Sequence, residues 1–281
     1  MAQPAISLSA DDRQVAPDVP VVVFDRVSLA FDDNVVLRDV SFTVRAGRLK
    51  VLLGASGAGK SVILKMILGL LKPDSGSISV NGRRIDNMSE VQLMEVRGDI
   101  GMLFQESALF DSLTVADNVG YRLYEETDMP AADVRRRIKE VLGFIGLEEY
   151  LDQMPSELSG GQRRRVAIAR AVAAGPRLVL FDSPTSGLDP ITAKTVDAEI
   201  IKLRDLEHVT SIMVTHQLDD AFYIAAHQAV QENGRFAIVP ADPSNATEAE
   251  FLMLRDTRVY FEGSAAELRA SNDPYLKRFL S

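Results

Sequence analysis

The sequence predicts an α/β fold, a mostly parallel sheet covered by helices with a helical segment inserted into it. Three observations carry this expectation. Short apolar runs of strand character recur at Lys50–Leu53, Ile100–Phe104, Leu178–Phe181 and Ser211–Val214. Stretches with apolar residues at helical spacing separate them. Between Gln105 and about Gly161 the pattern is helical throughout, without a strand signal.

In chain order, Val21–Phe24 is a short β-branched strand, and Val35–Val44 continues with alternating character and pairs nearby. Lys50–Leu53 is a buried strand that feeds directly into GASGAGKS. The next stretch, VILKMILGLL, has Val62, Ile63, Met66, Ile67 and Leu70 on one helical face, and Pro73, Asp74 and Gly76 end that helix. Ser77–Val80 with the turn Asn81-Gly82 reads as a strand and hairpin. Pro130 opens a helix whose apolar face is Val134, Ile138, Val141, Leu142 and Ile145. Arg258–Phe261 is a late strand, and Ser264 with Glu267 forms a capping box that opens a further helix. The organisation expected is a loose tail over 1–20, a core over 21–104, a helical subdomain over 105–161, the second part of the core over 162–230, and over 231–281 a surface loop, a hairpin strand and C-terminal helices.

Composition removes several function classes. The formal net charge of −9 argues against non-specific nucleic-acid binding. No cysteine is present, so there is no disulfide framework, thiolate metal site or cysteine nucleophile. The first twenty residues lack a charged start followed by an apolar run, so no signal peptide is expected. No stretch reaches the ~18 apolar residues of a membrane span, which leaves membrane attachment to partners.

Gly54-Ala55-Ser56-Gly57-Ala58-Gly59-Lys60-Ser61 fits the phosphate-binding loop pattern in full, with a strand before it and a helix, beginning near Val62, after it. Its glycines let backbone N–H groups converge on phosphate oxygens, and the helix N-terminus favours anions. Lys60 is placed to reach the β- and γ-phosphates and Ser61 to ligate Mg²⁺. LVLFD is a buried strand ending in Asp182, the acid expected near that Mg²⁺. Leu158-Ser159-Gly160-Gly161-Gln162 is, by composition, a helix start with Ser159 as N-cap. Arg163, Arg164, Arg165 and Arg170 read as a solvated helix face.

LSGGQ, placed between the phosphate loop and LVLFD, resembles the signature of ABC-type ATPases, and other markers of that family stand in order. Phe31 looks like the aromatic that stacks on adenine, or is a core strand residue. Gln105 after MLF looks like the Q-loop glutamine, Asp189 in SGLD like the D-loop acid, and His216 in VTHQ like the switch histidine. The resemblance spans about Val21 to Ala226. It implies a phosphate-loop NTPase sheet core with an inserted helical subdomain and a small C-terminal extension. It implies ATP and Mg²⁺, the ion held by Ser61, Gln105 and Asp182, with Gln105, Asp182, Ser183 and His216 as the catalytic set. It also implies a second copy of the chain, arranged head to tail, so that Ser159, Gly160, Gly161 and Gln162 face the ATP of the opposite subunit.

Three stretches are similar to the Mla/Mce-type lipid transport ATPases: Met102–Leu123, SGLDPITA and RASNDPYLKRFL. They imply the cytoplasmic face of a bacterial inner membrane, a permease partner contacted through exposed Leu109, Phe110 and Leu113, and an Mce-type lipid-binding subunit. A soluble ABC protein of repair or translation would show coiled-coil insertions or paired cassettes, and neither is visible.

Two departures from that pattern stand out. Gln231–Leu254 intervenes before the usual closing hairpin and reads as a surface loop. Ser183 occupies the place of the glutamate that usually handles the attacking water, and serine is no general base without help. Slow hydrolysis, water orientation by another group such as His216, and a nucleotide-gated clamp that hardly turns over all remain open.

Overall fold

The computed structural model describes residues 19–232, 235–242 and 249–280. The expected tail therefore lies almost wholly outside the described residues, as does the polar run 243–248.

The chain opens with two long antiparallel strands, β1 (Pro20–Phe31) and β2 (Asn34–Arg45). They are followed by β3 (Leu49–Leu53), buried at every residue. Helix α1 (Lys60–Ile67) packs Ile63, Leu64, Met66 and Ile67 inward. It ends sooner than Pro73 would require. Gly69 takes φ +67°, its N–H donates to Met66 O and the Leu70 N–H donates to Lys65 O, which closes the helix with a left-handed C-terminal cap. A Cβ on Gly69 would stand 2.5 Å from Leu93 Cδ2, so the position admits no larger residue without a shift.

The strands β4 (Ser75–Val80) and β5 (Arg83–Arg84) pair through the expected turn, where Asn81 and Gly82 both have positive φ. The small antiparallel sheet runs β2-β1-β4-β5. Helix α2 (Glu90–Gly98) leads into β6 (Ile100–Leu103). The inserted helices are α3 (Val115–Glu126), α4 (Ala131–Phe144) and α5 (Gly160–Val172), with Pro130 as the N-cap of α4. The chain then returns through β7 (Leu178–Asp182), α6 (Pro190–Asp205), β8 (Thr210–Val214) and α7 (Leu218–Ala226).

The surface loop expected over Gln231–Leu254 is replaced by structure at both ends. β9 (His227–Glu232) and β10 (Arg235–Pro240) form a hairpin. β11 (Ala249–Arg255) enters the main sheet parallel to β3 and buries Phe251, Leu252, Met253 and Leu254. FLML is a continuous apolar run, the form a strand covered on both faces takes. β12 (Arg258–Ser264) closes the sheet edge antiparallel, and α8 (Ala265–Ala270) and α9 (Pro274–Leu280) follow, with Ser264 and Glu267 forming the expected reciprocal cap. The hairpin β9–β10 docks by Phe236, whose ring lies 5.9 Å from that of Phe144 at the end of α4. Lys202 of α6 sits between them, donating to Phe144 O at 3.0 Å with its ammonium 5.8 Å from the Phe236 ring.

The main sheet has the order β12-β11-β3-β8-β7-β6, and all but β12 are parallel. Alternation splits its side chains between two cores. Val51, Leu53, Val179, Phe181 and Met213 face the inserted helices and α6, whereas Leu52, Leu180, Ile212 and Val214 face α1 and the small sheet. Lys50 is buried in this sheet and is balanced by Glu250 and Glu262, each 2.6 Å from its ammonium.

Two buried acids, Asp197 of α6 and Asp220 of α7, meet between these helices. Asp197 is fully buried on the stripe that also carries Ala193, Ile200 and Ile201. Burial first, and then the neighbouring Asp220 carboxylate, push its pKa up to about 7 against the opposing pull of Lys194. The unfolded chain titrates this group near 3.8. The folded state therefore holds the proton more tightly, and stability is lost as pH rises through that window, with the full cost present above about 7. Asp197→Asn removes the cost. Its gain in unfolding free energy is expected to be at least ~1 kcal/mol larger at pH 8 than at pH 5. Urea melts at the two pH values measure this, and an equal change at both would contradict the assignment.

Candidate nucleotide site at the carboxyl ends of the parallel strands

The loops that follow β3, β8, β7 and β6 all leave the same edge of the sheet, and they bring Lys60, His216, Asp182 and Gln105 into one row. After β3 the chain turns at Gly54, whose φ of +144° and whose approach to Leu254 O, 2.6 Å from a would-be Cβ, admit only glycine. Ala55, Ser56 and Gly57 are exposed and Ala58 is half-buried. Gly59 is the left-handed N-cap of α1 at φ +95°. The first turn of α1 holds no acidic residue, so nothing within it offsets the partial positive charge of the helix end. The Lys60 ammonium donates to Gly54 O at 2.7 Å and Ala55 O at 2.9 Å. Burial lowers its pKa, and the Asp182 carboxylate opposes that shift. Ser61 is exposed and Val62 half-buried.

Asp182 is half-buried at the end of β7. Ser183 follows at φ +50°, 8% exposed, with its N–H on Val214 O at 2.8 Å and its hydroxyl donating to Asp182 Oδ1 at 3.3 Å. His216 and Gln105 are both exposed. The loop that follows Asp182 and the segment that follows His216 are joined through a buried hydroxyl. Thr185 Oγ1 lies 2.6 Å from Gln217 Oε1 and 2.5 Å from Asp220 Oδ2. Lys194 donates to Asp197 and Asp220 behind it.

Ser159 caps α5 as expected. Its hydroxyl accepts from the Gln162 N–H at 3.2 Å, and Gln162 Oε1 accepts from the Ser159 N–H at 2.8 Å. The signature end of α5 lies against the D-loop and the start of α6. A Cβ on Gly160 would stand 3.5 Å from Leu188, and one on Gly161 only 2.2 Å from Thr192 Cγ2. Asp189 caps α6 by accepting from the Ile191 and Thr192 N–H groups. The Thr192 hydroxyl first, and then these backbone N–H groups, hold its carboxyl below the usual carboxylate range.

Phe31 is not a core residue: it is 45% exposed at the end of β1. Phe110 is exposed with its ring 4.6 Å from that of Tyr121, while Leu109 and Leu113 are half-buried rather than exposed. The solvated arginine face expected on α5 is absent. Arg164 is 5% exposed, and Arg163, Arg165 and Arg170 are half-buried, each donating to a backbone carbonyl. Among the described residues no cluster of three His, Cys, Asp or Glu groups is built to hold a metal. The oxygen donors Ser61, Gln105 and Asp182 are of the hard type that suits Mg²⁺ alongside phosphate oxygens.

A family model described as ABC transporter matches residues 37–186. The methionine import ATP-binding protein MetN of Cereibacter sphaeroides is 40% identical over 79% of this chain, and the sulfate/thiosulfate import protein CysA of a Synechocystis species is 40% identical over 76%. The chain spans 64% and 59% of the lengths of those two relatives. The intermembrane phospholipid transport protein MlaF of Escherichia coli is 35% identical over 90% of this chain and 86% of its own. Among solved structures, cbiO1 of Clostridium perfringens, part of the transporter complex cbiONQ, superposes with a TM-score of 0.77 at 25% identity, covering 90% of this chain and 92% of that one. A dimeric cassette, MJ0796, in a post-hydrolysis state with ADP and Pi, gives 0.69 at 28% identity, covering 86% and 98%.

The contact of Gly161 with Thr192 makes a prediction independent of any ligand. Gly161→Ala is expected to cost about 1–3 kcal/mol of stability, the usual range for overpacking a tight interface. Thr192→Ala, which removes the clashing methyl, should recover most of the loss in the double variant. A double-mutant cycle on thermal melts checks this, and purely additive losses would refute it.

Proposed function

Because this chain belongs to the ABC transporter family, we propose that it is the ATP-hydrolysing subunit of a bacterial transporter, acting as a head-to-tail dimer on a membrane permease. The row of Lys60, His216, Asp182 and Gln105 along one sheet edge carries this reading. ATP with Mg²⁺ is the cofactor of the family's cassettes, and the cassette fold is the one this chain adopts. Lys60 and the backbone N–H groups of 54–61 hold the β- and γ-phosphates, with Ser61, Gln105 and Asp182 around the ion. Phe31 offers an exposed ring for the adenine. When bound, the ion neutralises charge developing on the transferred phosphoryl group. Ser159 at the end of α5 presents an N-terminus to the γ-phosphate of the opposite subunit. Among the described residues no helix is long and apolar enough to cross a membrane, which agrees with attachment through a permease.

The cargo we assign is phospholipid, with an Mce-type lipid-binding subunit as the further partner, on the cytoplasmic face of the inner membrane. The extended match to MlaF and the likeness of Met102–Leu123, Ser186–Ala193 and Arg269–Leu280 to that subgroup support this. Methionine and sulfate importers match at similar identity and make a small polar solute the competing cargo. Mass spectrometry of the complex purified from its membrane separates the two. Bound phospholipid with an Mce-type subunit supports the assignment, and a solute-binding protein in its place refutes it.

Ser183 favours slow turnover, and it keeps a second reading in view, a nucleotide-gated clamp that hardly hydrolyses. Its short hydroxyl is turned to Asp182 and is no base of its own. Ser183→Glu is expected to raise phosphate release by the assembled complex by about 10²-fold or more, the usual contribution of a positioned base. Equal rates would assign the water to another group, and His216→Ala would then be the variant that stops turnover. Lys60→Ala is expected to weaken ATP binding by about one to two decades, because a charge-assisted contact to phosphate is worth roughly 1.5–3 kcal/mol. Titration with a fluorescent ATP analogue measures it, and unchanged affinity would overturn the phosphate-loop assignment.

A further inference from the structure

The loop after β6 is held from both sides by side chains of α5. Arg164 donates from Nη1 to Phe104 O at 2.9 Å and from Nη2 to Ser186 O at 3.2 Å. One buried guanidinium thus joins the signature helix to the residue before Gln105 and to the D-loop. Six residues along α5, Arg170 spans two successive carbonyls, donating to Ala108 O at 2.7 Å and Ser107 O at 2.9 Å. Ser107 and Ala108 are consecutive non-glycine residues in the left-handed region, at φ +65° and +47°. Such residues persist only where their surroundings over-determine them. Arg170 supplies that restraint, with its guanidinium 5.7 Å from the Phe110 ring. Asn118, fully buried, secures the far end of the loop, accepting from the Phe110 N–H at 2.8 Å and donating to Phe110 O, Leu113 O and Thr114 O. Gln105 itself is exposed, and the carbonyls held by the two arginines are those of Phe104 before it and Ser107 after it.

We propose that Arg164 and Arg170 are positioning residues that hold the Gln105 loop in register with the signature helix and the D-loop, and so set the reach of the Gln105 amide to the nucleotide-bound metal. This rests on the reading of the site as an Mg–ATP site. The planar guanidinium reaches its two carbonyls from two separate nitrogens held in a rigid fork, a geometry that the single nitrogen of a lysine does not reproduce at these positions. A shift of the N-terminus of α5 then displaces Gln105 and Ser186 together.

The test uses the full chain with ATP and Mn²⁺ as the spectroscopic probe. Arg170→Lys and Arg164→Lys are compared with Gln105→Ala and with Leu93→Ala, a core variant that tests for general destabilisation. Mn²⁺ binding to the ATP-loaded chain is read by electron paramagnetic resonance, and ATP affinity in chelator by fluorescence. Both lysine variants and Gln105→Ala are expected to bind Mn²⁺ about tenfold more weakly, the usual effect of losing a group that orients a metal ligand, with metal-free ATP affinity unchanged. Should Arg164→Lys fail to fold, Arg170→Lys, at a half-buried position, decides alone. Unchanged Mn²⁺ affinity in Arg170→Lys, or the same loss in Leu93→Ala, overturns the inference. Failure of the unsubstituted chain to bind ATP overturns the nucleotide reading itself, a result that the chelator titration detects separately.

Discussion

Parallel strands buried on both faces can change only at their ends, and in this chain the carboxyl ends carry the candidate nucleotide site. β3, β8, β7 and β6 lie side by side in parallel, mostly apolar registers, with Val51 and Phe181 flanking Met213. A one-residue slip in any of them would exchange the two cores, because Leu53 and Leu52 point to opposite sides. The sheet therefore fixes the spacing of Lys60, His216, Asp182 and Gln105 without any of these residues holding another directly. Rigid strands thus position the candidate site residues at their ends and in the segments just beyond them.

Thr185 and Arg164 refine that arrangement. Each is buried and each spans loops from different strands, Thr185 joining the β7 and β8 loops and Arg164 the β6 and β7 loops. Their hydrogen bonds replace what the sheet cannot reach, namely the orientation of loops beyond the last ladder bond. The cost is a set of desolvated polar groups under the site, Asp197 with its raised pKa being the clearest.

The strand–loop–helix context of GASGAGKS, the LVLFD strand and the N-cap at Ser159 were legible because their chemistry is local. Glycines, a helix start and an apolar run can be read within ten residues. The closing of α1 at Gly69 was legible in principle as a left-handed cap, but Pro73 offered a louder stop signal. Asp197 and Asn118 could also have been found, since each sits on the apolar stripe of its helix, where a polar residue requires a partner. The burial of Arg164 could not, because its carbonyl partner Phe104 lies 60 positions earlier in the chain. The entry of Ala249–Arg255 into the sheet depends likewise on β3, about 200 positions away, and the surrounding polar sequence hid its apolar core.

The β9–β10 hairpin places a fastener between two parts of the molecule that contact the sheet separately. Phe236 grips Phe144 at the end of the inserted helices, and Lys202 clamps the same residue from α6. Any swing of the inserted layer against the sheet has to drag the hairpin with it or part these rings. The seam between these layers thus rests on a hairpin outside the row of strand ends, and the loss of one aromatic ring would open it.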